Sequence, residues 1–364
     1  MAKRVGIDKW LFASVLLLVV TGVVMVFSAS AVMAGEKFGS PYYFLWRQLG
    51  WALAGLAAMA AIMRVDYRRW KHPGVVFTLL GVTTLLLVAV FFVDRSHNTH
   101  RWIRLGSLMS LQPSELAKPA LILFMAFFLE QRMRSIDDWR HTLLPAVLPS
   151  ALFAVLIVKQ PDLGTALVCL AITAAILYIA GMRLRYFAYG LVPIVPAVCY
   201  LVFFVPWRWA RIMAFLFPSR DPQGVGFHIN QSLIAVGTGG VTGMGLMEGK
   251  QKLFYLPEPH TDFIFANISE ELGLVGAVLV AGLFFIFAWR GLRTVLRARD
   301  NFAKLLAAGV TAMIIVQAFF NISVVLALLP TKGIPLPFIS YGGSSLFVML
   351  ASIGALLNIS QQVE

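Results

Sequence analysis

His260, Thr261 and Asp262 stand where a long polar loop gives way to an apolar helix, which sets a lone carboxylate at the edge of a hydrophobic layer. An acid placed there can take a proton from a hydroxyl if its pKa lies near ambient pH. Capping the helix would lower that pKa, whereas burial beside Phe263 and the negative Glu258 would raise it. From the residues alone Asp262 is a cap, a base or both.

Other groups could serve the same chemistry. Glu115 and Lys118 are spaced i, i+3 and share one helix face, either as a structural ion pair or as part of a polar site. Asp162, preceded by Gln160 and Pro161, opens a further helix as its N-cap or as a wall of that site. Arg101 and Arg104 flank Trp102 and Ile103, Arg208 and Arg211 are again i, i+3, and Lys252 follows. Aromatic and basic residues interleaved in this way suit a membrane interface, but guanidinium forks also match phosphate, and together these cations favour an anionic headgroup. The glycines from Gly237 to Gly249 could cradle phosphate with backbone amides or let helices approach closely. They do not form an ATP-binding loop, because Gly249 and Lys250 are followed by Gln251.

The elements that must position these groups are membrane helices. With 59% hydrophobic and 13% charged residues, the chain has little room for a soluble fold. Uncharged runs cover 10–35, 73–93, 142–158, 163–182, 186–207, 305–331 and 333–363, and three charge-bearing segments, 43–63, 113–129 and 263–289, also read as spans. The expectation is an all-α integral membrane protein with about ten transmembrane helices in a single polytopic domain, residues 1–364. Its one long connection, about 207–262 between helices 7 and 8, holds Phe215, Leu216, Phe217, Leu233 and Ile234, which predicts short amphipathic or re-entrant helices there. Cys169 and Cys199 lie in apolar runs and suggest neither a disulfide nor a metal site.

A net charge of +13 does not point to nucleic acid, because most of the basic residues fall at one set of helix ends. The positive-inside bias puts both termini in the cytoplasm, with Arg69, Arg185 and Arg297 inside and His97 and Gly240 outside. The basic loops 94–112 and 207–262 are then exceptions on the outer face. Even-numbered spans run inward, so Arg47, Glu115, Lys118, Asp162 and Asp262 all belong to the outer half of the membrane.

Five stretches carry a family resemblance: RWIRLGSLMSLQPSELAK (101–118), KQPDLGTAL (159–167), QSLIAVGTGGVTGMGL (231–246), KLFYLPEPHTDFIFANISEELG (252–273) and LPFISYGGSS (336–345). In order and content they resemble the SEDS family of bacterial cell-wall proteins, the FtsW and RodA group, and FSAS at 27–30 leans towards the FtsW, or division, branch. The resemblance implies a peptidoglycan glycosyltransferase that polymerises lipid II, the undecaprenyl-pyrophosphate-linked disaccharide peptide, at the outer face of the cytoplasmic membrane. It also implies a class B penicillin-binding transpeptidase as partner. Asp262 is then the catalytic aspartate, and Arg47, Arg101, Arg104, Glu115, Lys118, Gln160, Asp162, Arg208, Arg211, Gln231, Lys252, Glu258, His260 and Thr261 are expected to bind substrate. No cofactor is implied, although a pyrophosphate substrate leaves room for a divalent cation, Mg or Mn. A lipid II flippase would need polar groups through both leaflets, and a mere scaffold for the transpeptidase would need no intramembrane charge, so both are weaker alternatives.

Overall fold

Inside hydrocarbon a backbone can satisfy its own N–H and C=O groups only as a helix or a closed barrel, and the apolar runs of this chain close into helices. The computed structural model describes residues 6–94, 100–105, 109–218, 224, 226–253 and 255–362, so His97 lies outside the described residues. The helices are α1 (Lys9–Phe38), α2 (Tyr43–Arg64), α3 (Pro73–Val93), α4 (Pro113–Glu130), α5 (Leu144–Lys159), α6 (Leu163–Ile179), α7 (Leu184–Phe203), α8 (Pro206–Leu216), α9 (Phe227–Gly239), α10 (Ile264–Arg297), α11 (Asn301–Val325) and α12 (Gly343–Ser360). Eight are long and apolar enough to cross a membrane, α5 being lengthened by a preceding turn from Trp139. The 17-residue α6 and α4, whose 18 residues include Glu115, Lys118 and Glu130, complete the expected ten. The protein is an all-α, multi-pass membrane protein, with one small hairpin of β1 (Ile103–Leu105) and β2 (Met109–Leu111).

The long connection between the seventh and eighth spans folds in part into α8 and α9, as its apolar residues predict. One boundary differs from expectation. The uncharged runs predict helix on both sides of Lys332, yet α11 stops at Val325 and α12 begins only at Gly343. Pro330, Pro335 and Pro337 lack the N–H that a helix needs, so residues 326–342 stay irregular despite their apolarity.

α11 runs through the middle of the bundle against α4, α6, α10 and α12. α2 and α12 approach closely through small residues: a β-carbon at Gly55 would stand 2.6 Å from Leu350 Cδ1, and one at Gly354 would stand 2.7 Å from Met59 O. α7 is different, since none of its residues is buried and it packs chiefly against α8.

α10 is broken at Gly273, where φ is 66°. The glycine-rich turn segment after α9 mends the break. Leu274 N and Val275 N donate to Gly240 O and Val241 O at 2.9 and 3.2 Å, while Glu270 O and Glu271 O, their ordinary helical acceptors, receive Met244 N and Gly245 N at 3.0 Å each. At positions 239, 243 and 273 a side chain would collide with the facing backbone. Of the two roles open to this glycine cluster, close packing is the one its geometry serves. The Glu270 carboxylate accepts Lys250 N at 2.9 Å, and the Glu271 carboxylate accepts Met247 N at 3.0 Å and Lys252 Nζ at 2.6 Å, locking the segment to the helix.

Candidate active site

Asp262 sits just before α10 and does not cap it, because no side chain hydrogen-bonds the first turn of that helix. Among the described residues its carboxylate has no hydrogen-bond partner, while its backbone oxygen accepts Asn321 Nδ2 at 2.8 Å. The same amide donates to Ile334 O, also at 2.8 Å, so one buried side chain of α11 ties the Asp262 loop to the loop before α12. Ser340 Oγ donates to Thr261 O at 2.6 Å and Tyr341 N to His260 O at 2.9 Å, adding two more stitches. Gly333 completes the contact, since a β-carbon there would lie 2.5 Å from Asp262 Oδ2.

Two cavities meet at this carboxylate. One, of about 380 Å³, is walled by Arg101, Asp162, Arg208, Arg211, Lys332 and apolar residues of α6, α7 and α11. The other, of about 550 Å³, includes Glu258, His228 and Phe263, and shares Trp207, Arg211, Asp262 and Lys332 with the first. Arg101 is aimed by the corner between α5 and α6: its Nε donates to Gln160 O at 2.9 Å, and Asp94 holds its backbone N–H at 2.9 Å. Arg208 and Arg211 project from α8 on one face, both resting over the Trp207 ring at 5.0 and 5.2 Å. Asp162 fills both roles open to it, lining the cavity and capping α6 through Thr165 N at 3.0 Å.

The electrostatics follow from this arrangement. Burial, with Glu258 and Asp162 nearby, pushes the Asp262 carboxyl up to about 6 against the opposing pull of Arg101 and Arg211. Burial and the neighbouring Arg208 and Arg211 bring Lys332 down to about 8, although Asp162 favours its charge. The site therefore holds a carboxyl that gains a proton easily and an ammonium that loses one easily.

The remaining expected residues lie outside both cavity walls. Lys118 is buried in the bundle, with Nζ 2.8 Å from Glu115 Oε2 and from Gln317 Oε1, and Ser345 Oγ donates to Glu115 at 2.7 Å. Lys252 is committed to Glu271 and Ser28. Arg47 lies over the Tyr43 ring at 4.5 Å, Arg104 is exposed on β1, Gln160 donates to Leu87 O, and Gln231 lies on α9. His260 is buried between Phe44 and Tyr341, and Thr261 Oγ1 bonds Glu258. Lys332, which lines both cavities, belongs to none of the sequence stretches that pointed to the site. Its signal was present, because it is the only charge between Lys304 and Glu364. Among the described residues no group of three or more His, Cys, Asp and Glu could hold a metal ion.

A multi-pass helical bundle with an uncapped, poorly solvated carboxylate facing a cation-lined cavity is the class that fold and site define. Residues 8–364 match the model of the FtsW/RodA/SpoVE family, described as cell cycle proteins. A relative from Geobacter sp. (strain M18), named "Probable peptidoglycan glycosyltransferase FtsW", is 45% identical over 100% of this chain and 99% of its own length. Stage V sporulation protein E of Bacillus subtilis is 44% identical, covering 99% of this chain and 98% of that one. Among solved structures, a chain from a peptidoglycan synthase complex superposes with a TM-score of 0.79 at 29% identity, with 98% of each chain covered. RodA of Thermus thermophilus gives a TM-score of 0.71 at 29% identity, over 97% of this chain and 96% of that one. The chain belongs to the FtsW/RodA/SpoVE family.

Proposed function

We propose that this protein is a peptidoglycan glycosyltransferase that polymerises lipid II, with Asp262 as general base. The observation that carries the reading is the uncapped Asp262 carboxylate at the junction of two cavities, beneath Arg101, Arg208, Arg211 and Lys332. Transfer needs two sugars, one on each side of the base. The acceptor hydroxyl attacks the anomeric carbon of the donor, its proton passes to Asp262, and the bond from that carbon to pyrophosphate breaks with the electron pair leaving on phosphate. Cations aimed at that phosphate stabilise the charge as it develops. The donor carries its own leaving group, so no nucleotide is needed on the far side of the membrane. The names of the relatives support the reaction, and the peptidoglycan synthase complex, whose description joins polymerization to crosslinking, supports a crosslinking partner; that this partner is a class B penicillin-binding transpeptidase rests on the family resemblance. Lysine and arginine asymmetry supports cytoplasmic termini and an outward-facing site in the bacterial cytoplasmic membrane.

The test is direct. Purified wild-type protein and Asp262→Asn, each with and without a cognate transpeptidase, are given lipid II, and both glycan polymer and lipid II binding are measured. The asparagine variant is expected to bind but to lose about 10² to 10⁴ in rate, the usual contribution of a general base. Near-normal polymer would remove Asp262 from that role.

A further inference from the structure

A second charged cavity, of about 420 Å³, lies at the opposite end of α10, where its last turns meet the start of α1 and the end of α12. Arg290, Arg293 and Arg297 are spaced i, i+3, i+7, so one face of α10 delivers three guanidinium groups to it. Arg290 is already engaged: its Nη2 is 2.6 Å from Asp8 Oδ2, and its Nε is 2.8 Å from the same oxygen. Among the described residues Arg293 and Arg297 have no ion-pair or hydrogen-bond partner. Trp10, 65% exposed, stands at the rim.

We propose that this cavity binds the phosphate of an anionic phospholipid headgroup. Positive-inside topology asks only for basic residues somewhere in the flanking loops; it does not ask them to line one cavity between helices. Two unengaged forks facing one space match phosphate geometry, and the engaged Arg290 supplies a third positive charge partly offset by Asp8. The position at the end of spanning helices, with an amphipathic indole at the rim, selects a lipid over a soluble phosphate, because the acyl chains can stay in the bilayer beside α1. The Asp8 carboxylate, which also accepts Trp10 N at 3.2 Å and Leu11 N at 3.1 Å as the α1 cap, is the one negative group among the described residues of the wall.

Detergent-purified protein titrated with phosphatidylglycerol or phosphatidylcholine and read by native mass spectrometry tests the site. Wild type is expected to retain phosphatidylglycerol preferentially, and Arg293→Gln with Arg297→Gln should cut that preference by about tenfold or more, as for lost charge-assisted phosphate contacts. Asp8→Asn keeps a good cap and removes the opposing charge, so it should raise phosphatidylglycerol retention severalfold, a gain that misfolding cannot produce. Exposed arginines elsewhere provide the control, and Arg134→Gln with Arg140→Gln should change nothing. Equal retention of the two lipids, no gain in Asp8→Asn, or an equal loss in the Arg134 and Arg140 pair would overturn the proposal. Displacement of the lipid by millimolar glycerol 3-phosphate would do so as well, by showing a site for free phosphate.

Discussion

Asp262 and Lys332 share two cavity walls and titrate toward each other, the acid raised to about 6 and the ammonium lowered to about 8. A base must be unprotonated and a phosphate-binding lysine protonated, so polymer formation is expected to rise through about 6 and to fall above about 8. Initial rates measured across that range check it, and Lys332→Ala should flatten the alkaline side. Stability supplies a second reading with its own sign. A carboxyl whose folded pKa lies above its ordinary value binds protons more tightly when folded, so wild type should lose stability relative to Asp262→Asn as pH rises through about 6. Thermal unfolding of both proteins at several pH values measures that difference. Asn321 belongs to the same scale: Asn321→Ala frees the backbone of Asp262 from the loop that carries Lys332. A displacement of 1 Å can cost on the order of 10²-fold, so kcat should fall with little change in KM, and the acid limb should move to lower pH as the carboxyl becomes better solvated. The acid and the arginines were legible in the sequence because charge in an apolar chain is conspicuous. Lys332 was equally conspicuous but stood between two uncharged runs as an ordinary charge at a helix end, and only the prolines around it reveal how long the connecting loop is.

At the scale of elements, the glycine-rich segment and the broken α10 exchange backbone hydrogen bonds, with Glu271 and Lys252 as the buried pair beside the junction. Lys252→Met leaves the Glu271 charge without its cation in a buried setting, which typically costs about 3 to 5 kcal/mol. A clear drop in the unfolding temperature, with lipid II affinity little changed in whatever protein remains folded, is the expected result. An equal loss of affinity would assign Lys252 to the substrate site. Spacing alone could not separate these roles. A lysine in a motif near the proposed base can be a phosphate ligand or half of a buried pair, and Glu271, the partner it has here, lies 19 positions further along the chain. The i, i+3 pair of Glu115 and Lys118 was easier to read, because helical geometry alone brings those two groups together.

For the whole molecule, ten spans followed from length and apolarity, since a bilayer sets the length of what crosses it. The orientation is a separate matter and rests on charge asymmetry. Single-cysteine labelling from either side of the membrane should find Gly240 outside and Arg69, Arg185 and Arg297 inside; the reverse would place the Asp262 cavities in the cytoplasm. The one helix without a buried residue has a larger consequence. α7 contributes Val198 and Val202 to the smaller cavity although none of its residues is buried and it packs chiefly against α8, so much of that wall faces outward from the bundle. Extracting a polyprenyl tail into water would cost about 0.8 kcal/mol for each CH₂. With α7 as a side entrance the tail never has to leave the hydrocarbon: a substrate arrives by diffusion in two dimensions, and the concentration that governs turnover is its mole fraction among lipids rather than its molarity in solution.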